Sequence, residues 1–342
     1  MNDDYSKGHY WALNEVPQTK FAGLNDQQWL STDSESAFDK NKPNGWSKDS
    51  ITYNLNKHGY RSDEFIDDER FTIVNYGCSS TLGVGVKHED VWTHKLSTKI
   101  QSRNGVDVKT YNLGVGGASM DMICRTIYQT LPILKPDLIF VLFTNPYRFE
   151  FQDDDGFVAQ IIAPDKDTEK LYETVANQYS CENNFYKNFY IMEAMFARYN
   201  KPWLFSSTIE QSDILSTHDN FAGYFDDHYK TNDYARDLRH AGIKTHDNMA
   251  ENFFNTYKQF DKMDNAKKII DFLTNYIGEE WLKHNNITIS KETTFSELNF
   301  DLFDESATIR FLRTGDYCMY YENNEWFHAV SDLIDYVIGN KS

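Results

Sequence analysis

Four stretches of the chain carry apolar runs that stop at glycine or at small polar residues. They are 71–77 (FTIVNYG), 106–114 (VDVKTYNLG), 136–144 (PDLIFVLFT) and 201–208 (KPWLFSST). Runs of this length and composition predict buried strands, and the third is apolar enough to be covered on both faces. Between them, apolar residues recur at helical spacing. Val91, Leu96 and Ile100 mark a helix over 89–101, and 118–134 reads as a second. Two more helices are expected near 167–179 and 184–200, the latter burying Phe185, Phe189, Met192 and Phe196, and another over 243–260. Residues 147–162 (YRFEFQDDDGFVAQII) predict a hairpin turning at Asp155-Gly156, and 51–65 a short strand with a turn at His58-Gly59. Residues 209–235 read as irregular. Strands alternating with helices predict an α/β fold with a mostly parallel sheet covered on both faces.

The alternation stops after Phe260. A polar stretch (DKMDNAKK) leads into a helix over 265–283, a long polar loop, and shorter helices over 302–313 and 329–338. Three regions are therefore expected: an N-terminal extension, 1–69, packing on the next region; an α/β domain, 70–260; and a helical domain, 262–342.

Composition narrows the class. The 342 residues are 40% hydrophobic and 15% aromatic, enough for a packed core, and carry a net charge of −18. That sign disfavours nucleic acid, whose phosphates call for Lys and Arg. Cys78, Cys124, Cys181 and Cys318 show no CxxC spacing and read as free thiols in a reducing compartment. The first residues have neither a basic start nor an apolar run, and no segment approaches the roughly 18 apolar residues of a membrane span. The expectation is a cytoplasmic protein, although one carried on a virus particle would read the same.

Candidate chemistry gathers where strands end, since open α/β sheets bind ligands at the carboxyl ends of their strands. Cys78, Ser79, Ser80 and Thr81 follow the first strand. Ser79 needs a base within reach, itself oriented by a third group. Asp237 and His240, spaced D-x-x-H just before a helix, supply both. Oxyanion donors are expected from the Ser79 amide and from Gly117, in the glycine-rich turn of YNLGVGGAS (111–119). Cys78 reads as a small buried residue. Arg61 and Arg148 read as ion-pair residues, with an anionic group of a substrate as the alternative. His218, His228 and His246 lack metal spacing, and 153–156 (DDDG) reads as a turn rather than a calcium loop.

These pieces, in this order, resemble the SGNH (GDSL-type) hydrolases over about residues 50–260. Gly77-Cys78-Ser79-Ser80-Thr81 matches the block that carries the nucleophile, with Cys78 in place of its Asp. Asn112 to Gly117 matches the N-x-G-x-x-G block, and Asp237 with His240 matches the last. The third block is altered: Asn145 stands near the oxyanion amide's position, but the accompanying Gly and Asp are missing. The resemblance implies a three-layer, flavodoxin-like α/β/α fold and an esterase or deacetylase using Ser79, His240 and Asp237. Gly117 and Asn145 would hold the oxyanion. No metal or organic cofactor would be needed, and the substrate would be a small-molecule or carbohydrate ester. An O-acyltransferase with the same triad, or a non-catalytic protein on this scaffold, are the alternatives. Residues from 267 onward resemble an acyl carrier protein, but Leu302 occupies the position of its phosphopantetheine serine. That implies a carrier-like four-helix fold without the prosthetic group, offering a surface to a protein partner.

Overall fold

The apolar runs become a five-stranded parallel sheet in the computed structural model, which describes residues 16–152, 158–161, 177–208, 213–224 and 231–272. Its strands are β1 (Phe71–Gly77), β2 (Val108–Gly114), β3 (Leu138–Phe143), β6 (Trp203–Ser207) and β7 (Phe221–Tyr224), in the order β2-β1-β3-β6-β7. Each neighbouring pair is parallel. The order reverses direction between β1 and β3, which opens a crevice at their carboxyl ends. Two further strands, β4 (Phe149–Gln152) and β5 (Val158–Ile161), pair antiparallel as the separate hairpin expected there; its turn lies outside the described residues.

Alternation along the strands fills both faces. Val74, Tyr76, Ile139, Val141, Phe143 and Phe205 share one core with helix α4 (Met120–Leu134) and helix α5 (Gln178–Arg198). From α5 come Phe185, Phe189, Met192 and Phe196, the four expected from their spacing. On the opposite face, Phe140 of β3 meets Phe253, which stacks on Trp92 at 4.9 Å. Trp92 opens helix α3 (Trp92–Asn104), and Phe253 belongs to a helix running Ile243–Phe272. The result is a sheet between two helical layers.

The N-terminal segment has little regular structure beyond helix α1 (Glu35–Asn41), yet side chains pin it down. The turn at His58-Gly59 forms, with Gly59 at φ +86 and Thr19 Oγ1 donating to its carbonyl at 2.9 Å. The expected strand over 51–65 reduces to an isolated bridge between Gln27 and Tyr53. Among the described residues, Arg61 has no carboxylate in an ion pair with it. It is buried, lies 4.6 Å from the Tyr53 ring, and donates to the carbonyls of Gly83 (2.6 Å) and Val86 (3.1 Å). Burial pulls its guanidinium down to about 10, so it stays charged at neutral pH.

Two other expectations are corrected. Residues 209–235 are not wholly irregular, because Phe221–Tyr224 forms the sheet's edge strand. It is only four residues long and contains Gly223, so no apolar run announced it. The helix expected over 243–260 also runs further, to Phe272. The stretch 261–268 (DKMDNAKK) is mostly polar, but none of its residues stops a helix as Gly or Pro does. The chain divides into two compact units, 1–256 and 257–342. The helices expected beyond Phe272 lie outside the described residues, as does most of the one expected near 167–179. Among the described residues, no helix is long and apolar enough to cross a membrane, and no cluster of His, Cys, Asp or Glu could hold a metal ion.

Candidate active site

The chain leaves β1 at Gly77 and turns at once into a single helical turn, α2 (Ser79–Leu82), capped by Cys78 and closed by Gly83 at φ +76. Ser79 is first in that turn, 7% exposed, and its hydroxyl makes no hydrogen bond among the described residues. Asn112 of β2 fixes the turn from beside it. Its Nδ2 donates to the Thr81 carbonyl at 2.6 Å, and its Oδ1 accepts from the Gly114 amide at 2.9 Å. The turn sits hard against both strand ends. A Cβ at Gly77 would lie 2.1 Å from Thr81 Oγ1, and one at Gly114 would lie 2.3 Å from the Leu82 amide nitrogen. Backbone cannot yield as a side-chain tip does. Gly114→Ala is therefore expected to lower stability by about 1–3 kcal/mol, as overpacking does. Urea unfolding measures this, and a variant as stable as wild type would refute it.

Asp237 and His240 meet as their spacing suggested. Asp237 Oδ2 lies 2.6 Å from His240 Nδ1, and Oδ1 accepts from the Arg239 and His240 amides at 3.0 Å each. Leu238, at φ +55, lets the intervening loop close. Thr32 adds a partner that no motif pointed to: its hydroxyl donates to Asp237 Oδ2 at 2.6 Å. Burial alone would raise the Asp237 carboxyl, which is 3% exposed, but the hydrogen bond and charge of His240, then Thr32 and the Arg239 amide, hold it down at about 2. An ionised Asp237 can only accept here, so Nδ1 is the donor, and in that tautomer of the imidazole Nε2 is the acceptor.

The loop carrying this pair is tied to the one that follows α2. The Arg236 amide donates to the Gly85 carbonyl at 2.9 Å, and a Cβ at Gly85 would stand 2.7 Å from that of Ala235. The Arg236 side chain runs into a buried polar cluster. Its Nε and Nη2 reach the two Asp33 oxygens at 2.9 and 2.6 Å, and Nη1 donates to the Lys48 carbonyl at 2.7 Å. Nη2 also donates to the Gln28 carbonyl, and the guanidinium lies 4.1 Å from the Trp29 ring. Tyr53 closes the circuit, donating to Asp33 at 2.5 Å and accepting from the Gly85 amide at 2.8 Å. Burial, then the Asp33 charge, pushes the Tyr53 hydroxyl far above its ordinary range.

Gly117 takes φ +79 in the turn after β2, and its amide has no partner among the described residues. Asn145 follows β3, across the crevice from β1. Its Oδ1 accepts from the Tyr147 amide at 2.8 Å, while Nδ2 makes no hydrogen bond among the described residues. Arg148, like Arg61, lacks a carboxylate among the described residues. It donates to Thr144 Oγ1 at 2.8 Å and to the Ala118 carbonyl at 3.3 Å. Burial would raise the Cys78 thiol, but the Arg148 charge, the Ser80 amide and Thr144 outweigh it and pull the thiol down. The structure thus joins Asp237 to His240 directly. No hydrogen bond joins Ser79 to His240 among the described residues.

No family model and no curated protein matches the chain. Solved structures do. The esterase EstA from Pseudoalteromonas sp., in a form inhibited by monoethylphosphonate, is 14% identical; the match covers 56% of this chain and 98% of that one, with a TM-score of 0.36. A carbohydrate acetylesterase family member from Sinorhizobium meliloti is 13% identical over 55% and 97% of the two chains, with a TM-score of 0.33. AlinE4, an SGNH-hydrolase family esterase, is 16% identical over 44% and 65%, with a TM-score of 0.28.

Proposed function

We propose that this chain is a carboxylic ester hydrolase of the SGNH type, acting through Ser79, His240 and Asp237. The observation that carries the reading is the Asp237–His240 pair at 2.6 Å, on a loop tied to the one that follows Ser79 at the carboxyl edge of a parallel sheet. His240 Nε2 takes the Ser79 proton as Oγ bonds to the ester carbonyl carbon, whose oxygen becomes an oxyanion. The Gly117 and Ser79 amides and Asn145 Nδ2 are the donors assigned to that oxygen. Collapse breaks the bond to the alcohol, which leaves with the proton from His240. Water then repeats the sequence on the acyl-enzyme, releasing the acid and restoring Ser79. The resemblance to the SGNH hydrolases suggests a small acyl group on a sugar or lipid alcohol as the substrate.

Labelling with a fluorophosphonate, followed by peptide mapping, tests this. The expected result is one label, on Ser79, absent from His240→Ala protein that remains folded. A folded wild type that takes no label, or takes it on another serine, would overturn the reading.

A further inference from the structure

We infer that Thr32 is a positioning residue of this active site, so that the catalytic relay has a fourth member supplied by the N-terminal segment. The inference rests on the hydrolase reading for its chemistry, but on its own geometry for the contact. Thr32 Oγ1 lies 2.6 Å from the Asp237 oxygen that also accepts from His240 Nδ1, and 3.4 Å from Nδ1 itself. Nδ1 carries its proton toward Asp237, so the hydroxyl hydrogen of Thr32 goes to the carboxylate. Both oxygens of Asp237 are then fully engaged: Oδ1 by two backbone amides, Oδ2 by the imidazole and the hydroxyl. A carboxylate held at both ends cannot rotate away from the ring, and the ring keeps the tautomer with Nε2 free.

The position of the hydroxyl is itself determined from both sides. Leu30 and Asp33 exchange backbone hydrogen bonds at 2.9 and 3.1 Å, closing a two-residue turn with Ser31 and Thr32 at its tip. Asp33 is anchored by Arg236 and Tyr53. Ser31 adopts φ +58, a conformation a non-glycine residue holds only where its surroundings impose it. On the other side of the tip, a Cβ at Gly116 would meet Ser31 Oγ at 3.7 Å, so the turn lies against the glycine-rich loop as well as against Asp237. Thr32 is only half-buried, and its hydroxyl is the group that reaches Asp237.

The test compares the full-length wild type with Thr32→Val, which keeps the shape, and Thr32→Ser, which keeps the hydroxyl. Thr32→Ala replaces the first should valine prevent folding. On p-nitrophenyl acetate, Thr32→Val is expected to lower kcat by about 10- to 100-fold, the scale of a lost hydrogen bond to a charged group, with little change in KM. Thr32→Ser should recover most of the loss. In proton NMR, the low-field imidazole N–H resonance of the Asp237–His240 pair should move or vanish in Thr32→Val and return in Thr32→Ser. Unchanged kcat and an unchanged resonance in Thr32→Val would overturn the inference, as would a Thr32→Ser protein no better than Thr32→Val. The resonance is read without turnover. A wild type that neither labels nor hydrolyses therefore defeats the hydrolase reading alone, and the NMR comparison still decides the contact.

Discussion

Asp237→Asn is expected to lower kcat on a short acyl ester about 10⁴-fold while Ser79 and His240 stay in place. The reason lies in the donors around the carboxylate. Oδ1 accepts from two backbone amides, so an asparagine must place its carbonyl there and turn its NH2 toward His240 and Thr32. An NH2 facing Nδ1 demands an acceptor, which moves the ring proton to Nε2. The imidazole then has no lone pair to receive the Ser79 proton. The other asparagine rotamer sets donor against donor at the two amides and is worse. Steady-state kinetics measure the effect, and a kcat within about tenfold of wild type would refute the relay.

The same substitution has a signature in acid. The Asp237 carboxyl is lowered from 3.8 to about 2 in the folded chain. A depressed acid contributes stability that is complete above its unfolded value and is lost as pH falls through the folded one. The contribution is therefore present at pH 5 and fades between about pH 4 and pH 2, with a magnitude of about 2 kcal/mol. Asp237→Asn should remove that part of the pH dependence. Urea unfolding at pH 5 and at pH 2.5 gives the slope, and identical slopes for the two proteins would place the acid sensitivity elsewhere.

Much of this was readable before any coordinates. The buried strands were legible because each is a short apolar run closed by small residues. The Asp237–His240 contact was legible because it is local, three residues apart. The partners that hold it were not. Thr32 and Asp237 are 205 residues apart, and Arg236 and Asp33 are 203 apart. A threonine after Ser31 and an arginine before Asp237 carry no periodicity, so only the closed fold pairs them. Arg61 and Arg148 misled for a related reason. An arginine suggests a carboxylate partner, but backbone carbonyls take the two Nη groups of Arg61 and a tyrosine ring covers its face, and carbonyls leave no trace in composition. Polarity misled at 261–264, where helix-compatible residues look like a helix end but the helix runs through them. The N-terminal extension thus looks least structured in sequence, yet it supplies the side chains that brace the candidate site.

Arg236→Met is expected to destabilise the protein by about 3–5 kcal/mol at neutral pH, the scale for breaking a buried ion pair by removing one partner. Arg236 and Asp33 are each 1% exposed, so water cannot replace the missing cation. The Asp33 carboxylate would keep only Tyr53 as a hydrogen-bond partner among the described residues, and the Gln28 and Lys48 carbonyls would lose charged donors. Most of the loss is the stranded charge rather than the pair's net worth. Asp33→Asn combined with Arg236→Met should therefore be more stable than Arg236→Met alone, an order that simple loss of contacts would reverse. Urea unfolding of the three proteins measures it. A single variant within about 1 kcal/mol of wild type, or a double variant weaker than the single, would refute the account. The site should report the same event. Arg236 precedes Asp237, and its amide holds the Gly85 carbonyl, so releasing its side chain loosens the loop that carries the pair. Fluorophosphonate labelling of Ser79 should slow in Arg236→Met even below its unfolding transition.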